Sequence, residues 1–215
     1  MDTGATPDEN KFPLYRTIDS LLTLLKNEHH TELQLIVAHT HGHGDHIAAD
    51  KQFRDKPSVT VIGTGVDAVK QFFALGNWPL STSQFDLGGR VVDIIPIPGH
   101  QQASIAVYDH ATKILLTGDS FYPGRLYIKD WAAFALSTQR LVDFVSTHKI
   151  SFILGNHIEM TGTPGKDYPT GTVFQPEEHV LPMKIETLIE LNEALKRLGD
   201  KPVREVHNDF IIYPV

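Results

Sequence analysis

Hydrophobic positions along this chain alternate between a helical and a strand-like period, and each switch marks an element. Across residues 14–28, Leu14, Ile18, Leu21, Leu22 and Leu25 fall on one helical face. Residues 33–38 read as a buried strand that runs into a histidine-rich stretch. A second strand is expected at 59–62, then a helix at 67–75 capped by Asp67, then a loop over 76–89. Three consecutive strands follow at 90–97, 104–108 and 113–117. Asp130 is placed to cap a helix reaching about residue 147, with Trp131, Phe134, Leu141 and Val145 inward. A short strand is expected at 151–154. Residues 161–182 are rich in Gly and Pro and show no period; a loop of that length in a compact fold usually has a function. The last helix covers 183–198, with Leu188, Leu191, Leu195 and Leu198 in a stripe, and strands at 203–206 and 210–213 close the chain. Helices and strands mixed throughout imply α/β or α+β layers.

Composition narrows the function more than the fold. At 215 residues, the length suits one domain. With 41% hydrophobic and 21% charged residues the chain can build a core, which excludes wholesale disorder and coiled coil. No apolar run approaches the ~20 residues of a membrane span, so no membrane partner is expected. The formal net charge of −7 argues against nucleic-acid binding, which rests on neutralising phosphates. The start, Met1-Asp2-Thr3-Gly4, has no Lys or Arg before Lys11 and does not read as a secretion signal. It implies a cytoplasmic protein if that start is genuine and a periplasmic one if a segment precedes it. The absence of cysteine removes disulfides, thiolate metal sites and a cysteine nucleophile. The 12 histidines are a surplus, and their spacing becomes the question.

Three of them lie in His41-Gly42-His43-Gly44-Asp45-His46, directly after an apolar strand. Residues two apart in extended backbone point the same way, so His41 and His43 can reach one metal together. Asp45 and His46 follow where the chain turns towards a helix and can face a second metal. His100, Asp119 and His157 each sit just past an apolar strand, behind Gly99, behind Gly118 and after Gly155-Asn156 respectively. Taken singly each is weak; together the seven side chains fit two ions sharing one carboxylate. By contrast, Gly63-Thr64-Gly65-Val66-Asp67-Ala68 matches a dinucleotide-binding pattern in the wrong context and reads as a strand-to-helix turn.

The order His-x-His-x-Asp-His, His, Asp, His resembles the metallo-β-lactamase superfamily, and Asp2-Thr3-Gly4 resembles the aspartate motif that precedes it there. The resemblance implies an α+β fold, a four-layer αβ/βα sandwich with metals at one edge. It places one ion on His41, His43 and His100, the other on Asp45, His46 and His157, and Asp119 between them. Asp2 would hydrogen-bond beside the site without ligating. Two Zn2+ are the first choice for so imidazole-rich a set, with iron or manganese as alternatives. The implied activity is a metal-dependent hydrolase whose metal-bridging hydroxide attacks an ester, lactone, thioester or amide carbonyl, with Asp45 orienting it and moving the proton. In this superfamily several strands precede the Asp-Thr-Gly motif, whereas here it begins at residue 2. The first sheet is therefore expected to be short of strands or completed differently, leaving an edge open to homodimerisation.

The substrate is expected to be a small molecule. A general, lactonase-like hydrolase fits best. A β-lactamase of the cysteine-free subclass and a non-catalytic metal-binding domain are the alternatives. Glyoxalase II is disfavoured, because only 58 residues follow His157, too few for its helical substrate domain. Tyr122, Arg125 and Tyr127, on a loop after Asp119, are candidate substrate contacts, Arg125 for a carboxylate and a tyrosine for a developing oxyanion. His179, in the 161–182 loop expected to lie over the metal cleft, is the last candidate.

Overall fold

The computed structural model describes all 215 residues. Its centre is a five-stranded sheet built from β3 (Ser83–Asp86), β4 (Val91–Pro96), β5 (Ile105–Asp109), β6 (Ile114–Gly118) and β8 (Phe152–Gly155), in the order β3-β4-β5-β6-β8. β3, β4, β5 and β6 pair antiparallel in turn, while β8 adds parallel to β6. It follows that β4, β6 and β8 all run the same way and finish at the same edge of the sheet. Those three ends carry His100, Asp119 and His157.

Both faces of this sheet are buried, which explains why β4 and β5 are nearly continuous apolar runs. One face packs under α4 (Trp131–Thr147) and α5 (Ile185–Leu198), where Tyr108, Leu115 and Ile153 meet Phe134, Leu141, Leu188 and Leu191. The other face, with Val92, Ile94, Ile105 and Val107, meets Ala38, Ile62, Val69 and Phe73. These come from the β1 (Leu35–Val37) and β2 (Val59–Val61) layer and from α3 (Val66–Phe72). The result is the αβ/βα layering that the resemblance implied. Asp130 caps α4 as expected, its carboxylate accepting from the Ala133 N–H at 3.0 Å.

Four expectations shift. The 76–89 loop contains β3, held by Phe85 against Phe72 and Phe73. The 67–75 helix starts at Val66 with Gly65 at the cap position, and Asp67 sits in its first turn. The stretch after Asp119 is not all loop: Arg125–Ile128 forms β7, parallel to β10 (Ile211–Pro214), which also pairs with β9 (Glu205–Val206). And α1 (Leu14–His29) forms where its period predicts, yet none of its residues is buried; Leu21, Leu24 and Leu25 are exposed. The layer beneath α1 is narrow, because β1 pairs with β2 on one side and carries no strand on the other. The turn at residues 63–65 joins β2 to α3, as expected. No helix is long and apolar enough to cross a membrane.

Residues 161–182 are anchored by Arg125, which is only 6% exposed. Its guanidinium reaches Glu159 at 2.7 Å, Asp167 at 2.8 Å and the Tyr168 carbonyl. The Glu159 carboxylate also accepts from the Arg125 N–H at 2.7 Å. These donors face the protein, so Arg125 is not turned towards a substrate carboxylate. No residue of 161–182 lines the metal cleft, so the loop is moored beside it. Replacing Arg125 with Met would leave two carboxylates without their shared cation, a loss of roughly 3 kcal/mol for a buried pair. R125M is expected to unfold at lower denaturant and to be cleaved first by protease within 161–182; unchanged stability would remove the mooring role.

Candidate metal centre

Seven donor residues meet at the edge where β1, β4, β6 and β8 end. The ligand atoms of His41, His43, His100 and Asp119 lie within 4.8 Å of one another, and so do those of Asp45, His46 and His157. The Asp119 Oδ2 atom joins the two groups. It lies 3.6 Å from Nε2 of His41 and of His100, 3.4 Å from His46 Nε2 and 3.2 Å from His157 Nε2. Asp45 Oδ2 stands 3.4 Å from His46 Nε2 and 3.5 Å from His157 Nε2. The structure brings together all seven residues that the resemblance named.

Local chain chemistry aims these groups. The His41 run leaves β1 extended and enters the short helix α2 (Gly44–Ile47) with Asp45 in its first turn and His46 buried. Thr40 donates through its N–H and its hydroxyl to the two oxygens of Asp2, at 2.7 and 2.9 Å. The Thr40 hydroxyl oxygen is then left to accept from His41 Nδ1, 3.1 Å away, which keeps His41 Nε2 free for the centre. Asp2 also faces His46 Nδ1 at 3.4 Å and accepts from the Asn156 amide at 2.8 Å. Thus Asp2 holds ligands without joining them. His100 donates from Nδ1 to the Tyr127 carbonyl at 2.8 Å, turning its Nε2 inward. Two glycines allow the close approaches. At Gly118 (φ +55°) a Cβ would lie 2.8 Å from the Thr40 side chain, and at Gly99 (φ +141°) one would lie 2.4 Å from the Phe134 backbone.

The donor set fits metal and fits little else. His43 Nδ1 lies 2.9 Å from Nε2 of both His41 and His100, and one ring nitrogen cannot satisfy both. Buried His46 Nε2 and Asp119 Oδ1 have no hydrogen-bond partner at all. Five imidazoles with two carboxylates suit a divalent ion of zinc type.

Electrostatically the two halves differ. Burial, reinforced by the neighbouring imidazoles and only partly opposed by Asp119, lowers the His41 pKa to about 3. His43 and His100 are also lowered, burial being the largest cause and Lys129 adding to it. These three rings are neutral, the ligating form. Burial also opposes charge on His46, but Asp119 and Asp2 overcome it and push its pKa up to about 10. His157 is raised by its hydrogen bond to Asp119. Burial disfavours the ionised Asp119, yet His157 and His46 hold it well below the usual carboxylate range.

A cleft of about 440 Å3 opens over the donors, walled by Tyr122, Tyr127, Lys129, Glu159 and Val215. Tyr122 is buried, and its hydroxyl donates to the Arg125 carbonyl beside Glu159. The Tyr127 hydroxyl donates to Glu159 at 3.4 Å. Both tyrosines therefore face the cleft with their hydroxyls already engaged. His179 is elsewhere, its ring between Asp209 at 3.3 Å and the Val180 carbonyl. Sequence reasoning missed Lys129 and the part played by Glu159. Lys129 follows a strand too short to read locally, although a position just past a strand end was the signal that had found His100 and Asp119.

The metallo-β-lactamase superfamily model matches residues 2–171. Among curated relatives, hydroxyacylglutathione hydrolase of Rhizobium meliloti (strain 1021) is 31% identical over 91 residues, 41% of this chain and 35% of that protein. Acyl-coenzyme A thioesterase MBLAC2 of Gallus gallus is 33% identical over 82 residues, 35% of this chain and 29% of its own. The matches thus span about a third of these relatives' length. A metallo-β-lactamase from Pontibacter korlensis superposes with a TM-score of 0.53 at 17% identity, covering 91% of this chain and 80% of that one, a likeness of fold. With the family model spanning most of the chain and the seven candidate ligands converging in space, the chain belongs to the metallo-β-lactamase superfamily.

Proposed function

We propose that this chain is a dimetal hydrolase that cleaves acyl bonds, with thioesters as the first substrate class. The observation that carries this reading is the Asp119 carboxylate held among four imidazole nitrogens beneath an open cleft. In this reading His41, His43 and His100 hold one ion, Asp45, His46 and His157 hold the other, and Asp119 serves both. Zinc is the first candidate for the imidazole-rich set. Bound there, the ions supply Lewis acidity towards a carbonyl oxygen and lower the pKa of water.

The protein's own groups do the rest. Asp45 is half exposed and reaches the cleft between His46 and His157. Its carboxylate is placed to accept a proton from attacking water and return it to the departing sulfur or oxygen. Tyr122 and Tyr127 wall the cleft, and the Arg125–Glu159 pair fixes both. The thioester preference is supported by the two relatives, whose names describe cleavage of hydroxyacylglutathione and acyl-coenzyme A.

Replacing Asp45 with Asn is expected to lower thioester turnover by about 10²–10⁴-fold, the usual weight of a positioned acid–base group. The check is a hydrolysis panel of thioesters, lactones and nitrocefin on the zinc-loaded enzyme. Turnover surviving in D45N would remove the proton-handling role, and turnover of nitrocefin alone would replace the thioester reading with a β-lactamase. A pH effect follows from the two halves. The His41 group is already neutral, whereas His46 carries a proton at neutral pH that an incoming ion must displace. Affinity at the His46 site should therefore rise about tenfold or more per pH unit until the pH nears 10, where His46 gives up its proton, and affinity at the His41 site much less. Calorimetric titration in buffers of differing ionisation enthalpy reads this directly; equal pH dependence at both sites would contradict it.

A further inference from the structure

We infer that the open side of β1 is a docking groove for an extended, uncharged segment of another polypeptide, which adds to the two-stranded layer as a third strand. The inference is independent of the hydrolase reading. An apolar groove of about 380 Å3 lies between the two layers, and none of the seven candidate metal ligands lines it. Its floor includes Ile114 and Leu116 of β6 and Leu154 of β8, and Ile36 and Ala38 of the β1 run form its side wall. Phe152 alternates with the fully buried Ile153, so it points the same way as Leu154, and it is 52% exposed. The central sheet thus extends past β1 and is left uncovered there.

The backbone beside the groove is also open. β1 bonds to the β2 side through the Leu35 N–H, which donates to the Ser58 carbonyl at 2.8 Å, and through the Val37 carbonyl, which accepts from the Ile62 N–H at 2.9 Å. Backbone groups alternate sides along a strand, so the Ile36 N–H and carbonyl point to the other side, where no strand runs. Further along, the Ala38 carbonyl accepts from the Asp2 N–H at 2.9 Å, so this edge already takes a backbone partner at its end. The far face of the gap is apolar as well. Leu35 points to α1 beside Leu22, and on the adjoining flank of that helix Leu21 and Leu25 are 55% and 43% exposed.

Together the groove, the backbone edge and the helix flank specify the occupant. A second copy of this chain offering its own β1 would bring its own β6 and β8 into the same gap, so a slender element is needed. A lipid tail fills apolar volume but leaves the Ile36 N–H and carbonyl without a partner. An extended peptide meets both demands: its backbone exchanges hydrogen bonds with Ile36, while alternate side chains enter the groove and reach under α1. Both of its faces are then apolar, as in any strand buried on two sides. The only charged side chains lining the groove, Arg90 and Asp109, pair with each other and leave no charge for the occupant to match.

Two synthetic peptides test this on the full chain. One has about six alternating valines and isoleucines, the length of an ordinary strand, between terminal lysines. The other is identical but methylated on alternate backbone nitrogens, so it keeps the apolar side chains and loses the pairing edge. Calorimetry should show the plain peptide binding about tenfold tighter, the net scale of the lost backbone bonds. Hydrogen exchange at the Ile36 amide should slow with the plain peptide alone. I36P removes the outward N–H and spares the bonds to Ser58 and Ile62, since an open edge tolerates proline. I114K sets an ammonium on the groove floor. Each should abolish the preference, and if I36P fails to fold, I114K decides. No binding, equal binding of the two peptides, or a preference that survives in I114K overturns the proposal. So does light scattering that finds a dimer with the Ile36 amide already protected, which would give the gap to a second copy.

Discussion

Asp119 Oδ2 is surrounded by ring nitrogens of His41, His46, His100 and His157, all within 3.6 Å. Around it, five imidazoles and a second carboxylate crowd into one pocket. Burying so many polar groups without full hydrogen bonding costs free energy, and two of their atoms have no partner in the protein. Positive ions resolve that cost, and much of the surrounding chain serves to keep the donors where ions can use them.

The means are strand direction and tight turns. Because β4, β6 and β8 run the same way, three residues far apart in sequence arrive at one sheet edge. The β1 run brings the other four from the facing layer, and Asp2, Thr40 and Asn156 fasten that layer to the first by hydrogen bonds. Gly118 lets the end of β6 approach Thr40 closely. One acid, Asp2, steadies His46 directly and His41 through Thr40, so the two halves of the centre are mechanically linked.

Much of this was legible from the sequence, because the signals are local. The His41–His46 cluster and the strand-end positions of His100, Asp119 and His157 are short-range patterns, and so are the periods of α4 and α5. What could not be read depends on partners distant in sequence. Arg125 reads as a loop cation free for substrate; its burial rests on Glu159 and Asp167, 34 and 42 residues away. β7 is short and becomes a strand by pairing with β10 at the other end of the chain. Lys129 was invisible for the same reason. The α1 helix teaches the converse: its apolar stripe was correctly read, but amphipathic pattern alone does not say what covers a face, and here Leu21, Leu24 and Leu25 remain exposed.

We propose that one carboxylate, that of Asp119, couples two metal sites. Metal content by plasma mass spectrometry, after loading with zinc and removal of excess, tests it most directly. The wild type should retain close to two ions per chain, and D119A should lose both together, whereas H43A should lose mainly one. A wild type holding one ion or none, or a D119A protein that still holds two, would contradict the account.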